Sequence, residues 1–246
     1  MKMMIAAAAL AASAAGADAQ TFQPEPEPRW FISANGLFQP GSSGFSEEIE
    51  FQEFVETGTI ESSFEPAEGI GFDGSVGVRV WRQAGIGVAV STYAPDAGGT
   101  VTARIPHPLH FNQHRELTGD ADLTRKETAI HANLLYFVPA GERLHVILGA
   151  GASYFQAEQS FVNDVTYSHE YPFDTAELRG VDRDHESGSA LGFNATLDVA
   201  WKFSRSFGLG ALVRYAQASV DFTPGERTVT VDVGGLQAGI GVRVNF

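Results

Sequence analysis

The chain has 246 residues, a formal net charge of -14, 19% charged residues, 27 glycines and no cysteine. The missing cysteine excludes disulfides, thiolate zinc sites and lipoprotein-type lipidation. The acidic balance argues against nucleic acid as a partner, because phosphate binding draws on clustered Lys and Arg.

At the N-terminus Lys2 precedes an apolar run over residues 3–15, broken only by Ser13, and Ala17, Asp18 and Ala19 form a small-x-small cleavage site. Residues 1–19 therefore read as a signal peptide, too short to cross a bilayer as a helix, which takes about 20 apolar residues. No later stretch is long and apolar enough for a membrane helix. Residues 20–28 alternate proline with glutamate and read as a stiff, solvated tether. Residues 29–246 are expected to form a single domain.

From residue 30 onward the chain shows period-two alternation, the signature of strands with two unlike faces. Residues 30–38 form the first such segment and residues 71–81 the second, with Phe72, Gly74, Val76, Val78 and Val80 opposing Asp73, Ser75, Gly77 and Arg79. A turn at Arg82 and Gln83 leads to the third, residues 85–92, and a link this short makes the two antiparallel neighbours. The fourth is residues 127–138, followed by a turn at 139–143 and the fifth at 144–155. Residues 189–203 and 207–220 form the sixth and seventh, joined by Ser204, Arg205 and Ser206. The last segment, residues 228–246, has Leu236, Ala238, Ile240, Val242, Val244 and Phe246 on one parity and Gln237, Gly239, Gly241, Arg243 and Asn245 on the other. Above it the apolar parity is that of Val229, Val231 and Val233, and the jump at Gly234 and Gly235 predicts a β-bulge there.

The connections alternate between turns of a few residues and loops of about thirty, a length rare in compact soluble domains. Together these features predict an all-β fold: an eight-stranded antiparallel up-and-down transmembrane β-barrel with three long extracellular loops and short periplasmic turns. The alternation and the terminal aromatic, Phe246, resemble the bacterial outer-membrane β-barrel families typified by the transmembrane domain of OmpA and by the OmpW-like and OmpX-like small barrels. The resemblance implies the outer membrane of a Gram-negative bacterium as the location, surrounding lipid and lipopolysaccharide as partners, and Phe246 as the signal read by the barrel assembly machinery. It also implies a monomer. No soluble domain is expected after the barrel, so the peptidoglycan anchoring of OmpA is not carried over.

The polar parity would line the interior with Asp73, Arg79, His131, Asn194, Asp198, Arg214, Gln237 and Arg243. In the expected register Asp198 lies diagonal to Arg214, and opposite charges inside a narrow barrel form a structural network, because an unpaired buried charge is costly. Eight strands leave an interior just wide enough for side chains to fill. In the first long loop Glu47, Glu48, Glu50, Glu53, Glu56, Glu61, Glu65 and Glu68 interleave with Phe45, Ile49, Phe51, Phe54, Val55 and Phe64, so this loop is expected to continue as strand above the membrane. His107, His110 and His114 are weak candidates for metal ligands, since Pro106 and Pro108 forbid the helix that would align them. His185, Glu186 and Ser187 bring acid, base and hydroxyl together without a nucleophile-elbow motif. No catalytic residue and no cofactor are therefore expected. The function read from this is a structural or surface-interaction role through the extracellular loops. The alternatives are a narrow channel for small or hydrophobic solutes and a lipid-modifying enzyme.

Overall fold

The computed structural model describes residues 29–246 except 41–43, 65–67, 95, 142 and 226; the expected signal peptide and tether lie outside the described residues. Among the described residues there are eleven strands and no helix: β1 (Trp30–Gln39), β2 (Phe45–Glu53), β3 (Glu56–Phe64), β4 (Gly69–Trp81), β5 (Ala84–Tyr93), β6 (Asp96–Pro106), β7 (His114–Pro139), β8 (Leu144–His169), β9 (Ala176–Lys202), β10 (Phe207–Phe222) and β11 (Val229–Asn245).

Eight of these strands form a ring, each paired antiparallel with its neighbours. β1 pairs with β4, β4 with β5, β5 with β7, β7 with β8, β8 with β9, β9 with β10, β10 with β11, and β11 with β1 again. The ring closes because β1 and β11 share an eight-residue register from Phe31 opposite Asn245 to Phe38 opposite Ala238. A closed ring leaves no unpaired edge, and this is the condition for a sheet to stand in hydrocarbon.

The alternation decides which face is which. Ile32, Val76, Val88, Ile130, Leu134, Leu148, Leu197, Leu209 and Ile240 are exposed on the outside of the ring, while Ser33, Asn35, Asp73, Ser91, His131, Asn194 and Arg214 are buried within it. An apolar surface that encircles the molecule far exceeds the few hundred Å² a soluble monomer exposes, and its natural solvent is lipid. Trp30, Trp81, Trp201, Phe203, Phe207 and Phe246 ring the periplasmic border of this belt, and Phe38, Phe72, Tyr154, Phe193 and Tyr215 stand towards the other. Aromatic girdles at both interfaces mark a transmembrane barrel. The membrane-spanning segments are residues 30–38, 70–81, 84–92, 128–138, 144–156, 191–203, 207–217 and 236–246.

Above the belt the three expected loops are ordered β-structure. β7, β8 and β9 run for 26, 26 and 27 residues, about twice a membrane crossing. β7 changes partner on the way: residues 127–136 pair with β5, and residues 114–124 pair with β6. β6 in turn pairs with β3, and β3 with β2, giving a four-stranded extracellular sheet. One apolar core, with Ile60, Val101, Ile105, Leu117, Leu123 and Val162, packs this sheet against the upper part of β8 and β9. A second, with Phe155, Phe161, Val220, Phe222, Val231 and Val233, fills the space just above the barrel.

The predicted bulge at Gly234 and Gly235 is absent. β10 and β11 pair residue for residue from Phe207 opposite Val244 to Phe222 opposite Val229, with Gln217 opposite Gly234 and Ala216 opposite Gly235. Val231, Val233, Gln237 and Arg243 all point inward. What changes at the two glycines is the solvent: below them the outside is lipid and the inside polar, above them the outside is water and the inside an apolar core. The apolar parity therefore inverts while the register runs on. The glycines serve the backbone, with φ of 89° and 124° that only glycine adopts without strain.

Candidate functional site

Asp73, Asp198, Arg214 and Arg243 assemble with Asn35 at mid-membrane into one chain of contacts, while Gln237 donates from Nε2 to Gln39 Oε1 at 2.9 Å. Arg243 on β11 donates from Nε and Nη2 to Asp198 on β9 at 3.0 and 2.5 Å, and from Nη1 to Asn35 Oδ1 on β1 at 2.6 Å. Asn35 Nδ2 donates to Asp73 Oδ1 on β4 at 2.8 Å, and Asp73 Oδ2 is paired with Arg214 Nη1 on β10 at 2.8 Å. Two carboxylates and two guanidiniums make the set neutral, as a buried charge cluster must be. The side chains of Arg214 and Asp73 retain 2% and 1% of their exposure, so water does not share their contact.

Arg214 and Asp198 do lie diagonally on adjacent strands, since Leu212 is opposite Asp198 and Arg214 opposite Thr196. They do not pair: Arg243 takes Asp198, and Arg214 reaches across to Asp73. Asn35, which bridges the two pairs, is the residue that sequence reasoning passed over, although its place beside Ser33 on the inward parity of β1 was a signal. His131 stands apart from the charged chain. Its Nε2 contacts Ser91 at 3.0 Å and its Nδ1 contacts Ser153 at 2.8 Å, while Asn194 Nδ2 donates to Ser153 at 2.9 Å. Arg79 lies lower, its guanidinium 4.5 Å from the centroid of the Phe137 ring. With His145, Asp198 and Arg243 it lines a recess with about 20 Å³ of free space, room for one water.

A second ionic group, unforeseen, sits at the extracellular rim. Arg125 Nε and Glu127 Oε1 on β7 are 2.7 Å apart and buried. Glu127 Oε2 accepts from the Gly234 N–H at 2.9 Å, Arg125 Nη2 donates to the Asp232 carbonyl at 2.7 Å, and Gln39 Nε2 donates to the Gly234 carbonyl at 2.9 Å. The turned-in peptide of Gly234 is thus held from both sides, by β7 and by β1. Burial pushes the Glu127 carboxyl above its ordinary range, against the opposing pull of Arg125 and the Gly234 N–H. Opposite charges two residues apart on the inward parity of β7 were the signal for this pair.

Of the extracellular candidates His107 and His110 stay together, their ring centroids 4.7 Å apart, and the rest are dispersed. His107 Nδ1 accepts the backbone N–H groups of Leu109 and His110, both at 3.1 Å, which makes it the pin of the β6–β7 turn. His114 Nε2 lies 3.1 Å from the Thr57 carbonyl, and among the described residues no group of three metal-ligating side chains converges. His185 Nδ1 contacts Ser160 at 3.0 Å, and Ser187 lies opposite Glu158, two positions along the strand. Glu47 is buried and paired with Arg227 at 2.9 Å; burial raises its carboxyl and Arg227 lowers it, with burial the larger. The Tyr167 hydroxyl donates to Glu53 at 2.6 Å, and burial together with that carboxylate pushes its ionisation up to about 12.

No protein-family model matches the chain, and no curated protein matches it by sequence. The fold does match solved structures. Superposition on the outer membrane protein OprG from Pseudomonas aeruginosa covers 89% of this chain and 96% of that one, with a TM-score of 0.51 at 10% identity. Neisserial surface protein A follows with 88% and 97% coverage, a TM-score of 0.49 and 14% identity. The outer membrane protease OmpT from Escherichia coli gives 93% and 99% coverage, a TM-score of 0.44 and 9% identity. At such identities the likeness is one of fold, that of the bacterial outer-membrane β-barrel, and it agrees with the lipid-facing belt and closed ring of this chain.

Proposed function

We propose that this chain is a small outer-membrane β-barrel that does not conduct through its interior and acts at the cell surface through its extracellular β-structure. The observation that carries the reading is the stacking of two seals along one axis. The neutral layer of Asp198, Arg243, Asn35, Asp73 and Arg214 lies below the apolar cluster around Phe155 and Phe161, where the His131 ring meets Phe155 at 6.1 Å between centroids. An aqueous path would have to cross both. Lipid and lipopolysaccharide are the partners in this reading, which the exposed apolar belt supports, with the last strand ending in Phe246 as the handle for the assembly machinery and a monomer as the working state. Catalysis is not part of the reading: His185 contacts Ser160 and lies two positions from Ser187 along one strand.

A narrow path for small or hydrophobic solutes is the second reading, and the recess beside Arg79 and His145 is what favours it. Reconstitution into planar bilayers separates the two. A non-conducting barrel gives no steady current, whereas an ion-selective conductance that changes in Asp198→Ala overturns the proposal.

A further inference from the structure

At the periplasmic rim the β4–β5 and β7–β8 turns border a cleft of about 350 Å³, within the roughly 300–1,000 Å³ of small-ligand pockets. Its lining joins two unlike sets of side chains. Arg79, Arg82 and His145 supply basic groups, and Val138, Leu144 and Val146 supply apolar ones. The three apolar residues share the outward parity of the exposed Leu134, Tyr136 and Leu148, so this part of the lining continues the lipid-facing belt. Backbone bonds fix the walls: the Phe137 N–H donates to the Gln83 carbonyl at 2.7 Å, and the Arg79 N–H to the Arg29 carbonyl at 2.8 Å.

Both guanidiniums rest on aromatic rings, Arg79 at 4.5 Å from the Phe137 centroid and Arg82 at 5.1 Å from the Trp81 centroid. Stacking uses the face of a guanidinium, whereas phosphate is bound by the N–H edge in its plane. Trp81 is 67% exposed in the periplasmic girdle, which sets the Arg82 charge at the depth of lipid headgroups. The backbone adds an independent observation. Arg82 has a φ of 48°, a left-handed turn position that glycine or asparagine fills at lower cost. Turn chemistry alone therefore does not account for an arginine here.

From these features we infer that the cleft binds the headgroup phosphate of an anionic phospholipid in the periplasmic leaflet. The inference rests on the lipid partnership proposed above and names its headgroup class. The lining selects lipid over free phosphate, because a dissolved anion gains nothing from Val138, Leu144 and Val146, whereas an acyl chain buries apolar surface against them. Charge selects an anionic headgroup over a zwitterionic one. Among the described residues of the lining none is acidic, so the ammonium of a zwitterionic lipid meets no counter-charge there; Glu142 lies outside the described residues. The net charge of -14 opposes general attraction to an anionic bilayer, so the binding is a property of this site.

The test uses the full chain in non-ionic detergent with equal amounts of phosphatidylglycerol, phosphatidylethanolamine and phosphatidylcholine, and native mass spectrometry reads which lipid stays bound. The wild type is expected to prefer phosphatidylglycerol at least about tenfold over either zwitterionic lipid, and excess inorganic phosphate is expected not to displace it. Arg82→Gly relieves the left-handed turn and is expected to lower the preference at least about threefold. Adding Arg79→Gln is expected to abolish it. Heat-modifiable gel migration verifies that both variant barrels are folded. Arg205→Gln, in the β9–β10 turn outside the cleft, makes the same change in charge and is expected to keep the preference. Equal retention of the three lipids, a preference for phosphatidylethanolamine, a phosphatidylglycerol preference that survives the double variant, or its equal loss in Arg205→Gln overturns the inference. Displacement by inorganic phosphate assigns the site to a free anion and overturns it as well. None of these results bears on the conductance measurement, so the two readings fail separately.

Discussion

Replacing Arg214 by Met removes one half of a sealed ion pair and leaves the Asp73 carboxylate to the Asn35 amide. Breaking a buried pair by deleting one partner costs about 3–5 kcal/mol, because the other charge stays behind without compensation. The same change in a water-exposed pair costs about 0–1 kcal/mol. Arg214 and Asp73 retain 2% and 1% exposure, which assigns them to the first regime. Urea unfolding from thin lipid vesicles measures the difference, with Trp30, Trp81 and Trp201 as reporters because all three leave the periplasmic girdle for water on unfolding. The companion variant Asp73→Asn, Arg214→Met removes both charges and is expected to recover at least about 2 kcal/mol of the single-variant loss. A loss below about 1 kcal/mol for Arg214→Met would mean that water reaches the pair. The layer would then be a wet passage, and the sealed-interior reasoning would collapse with it.

Three further outcomes follow from the extracellular half. Phe161→Ala empties the contact with Phe45 and Phe222, whose ring centroids lie 5.6 and 5.3 Å away, and is expected to destabilise that core by about 3–5 kcal/mol. Limited proteolysis should then cut above the belt while the heat-modifiable barrel persists. Glu127 has its ionisation raised in the folded state, so its contribution to stability is full below the ordinary carboxylate range and is lost as pH rises through the folded value. Glu127→Gln should flatten stability measured across that interval, and an unchanged profile counts against the rim assignment. Tyr167 ionises at about 12 in place of the ordinary 10.0, so its contribution is present below pH 10 and declines between there and about 12. Tyrosinate absorbance during alkaline titration should lose a late component in Tyr167→Phe.

Eight strands were readable because lipid enforces a strict contrast between faces, as in the uninterrupted apolar parity from Leu236 to Phe246. The extracellular strands obey the same alternation: Val101, Ala103 and Ile105 oppose Thr100, Thr102 and Arg104 on β6, and Leu117, Ala121 and Leu123 oppose Glu116, Asp120 and Asp122 on β7. The first loop was expected to continue as strand, as β2 and β3 do; in the other two, length and place between membrane strands made the strands look like loops. The pairing of interior charges was legible only to the level of which residues face inward. Partners across a barrel depend on how the ring closes and shears, so Asp73 meets Arg214 through a geometry that no local register contains. The glycine pair was misread for a different reason. A change of apolar parity ordinarily signals an extra residue, and here it signals a change of medium.

That unbroken register has an evolutionary consequence. Because β11 carries its inward set from Val229 to Arg243 without interruption, an insertion or deletion of one residue near Gly234 would turn one half of the strand inside out. It would present Gln237 and Arg243 to hydrocarbon or Val231 and Val233 to water. Length variation along such a strand is tolerated only in pairs of residues or at the hairpin tips. Among related chains, the tips should therefore drift in length while the walls beneath them hold their count.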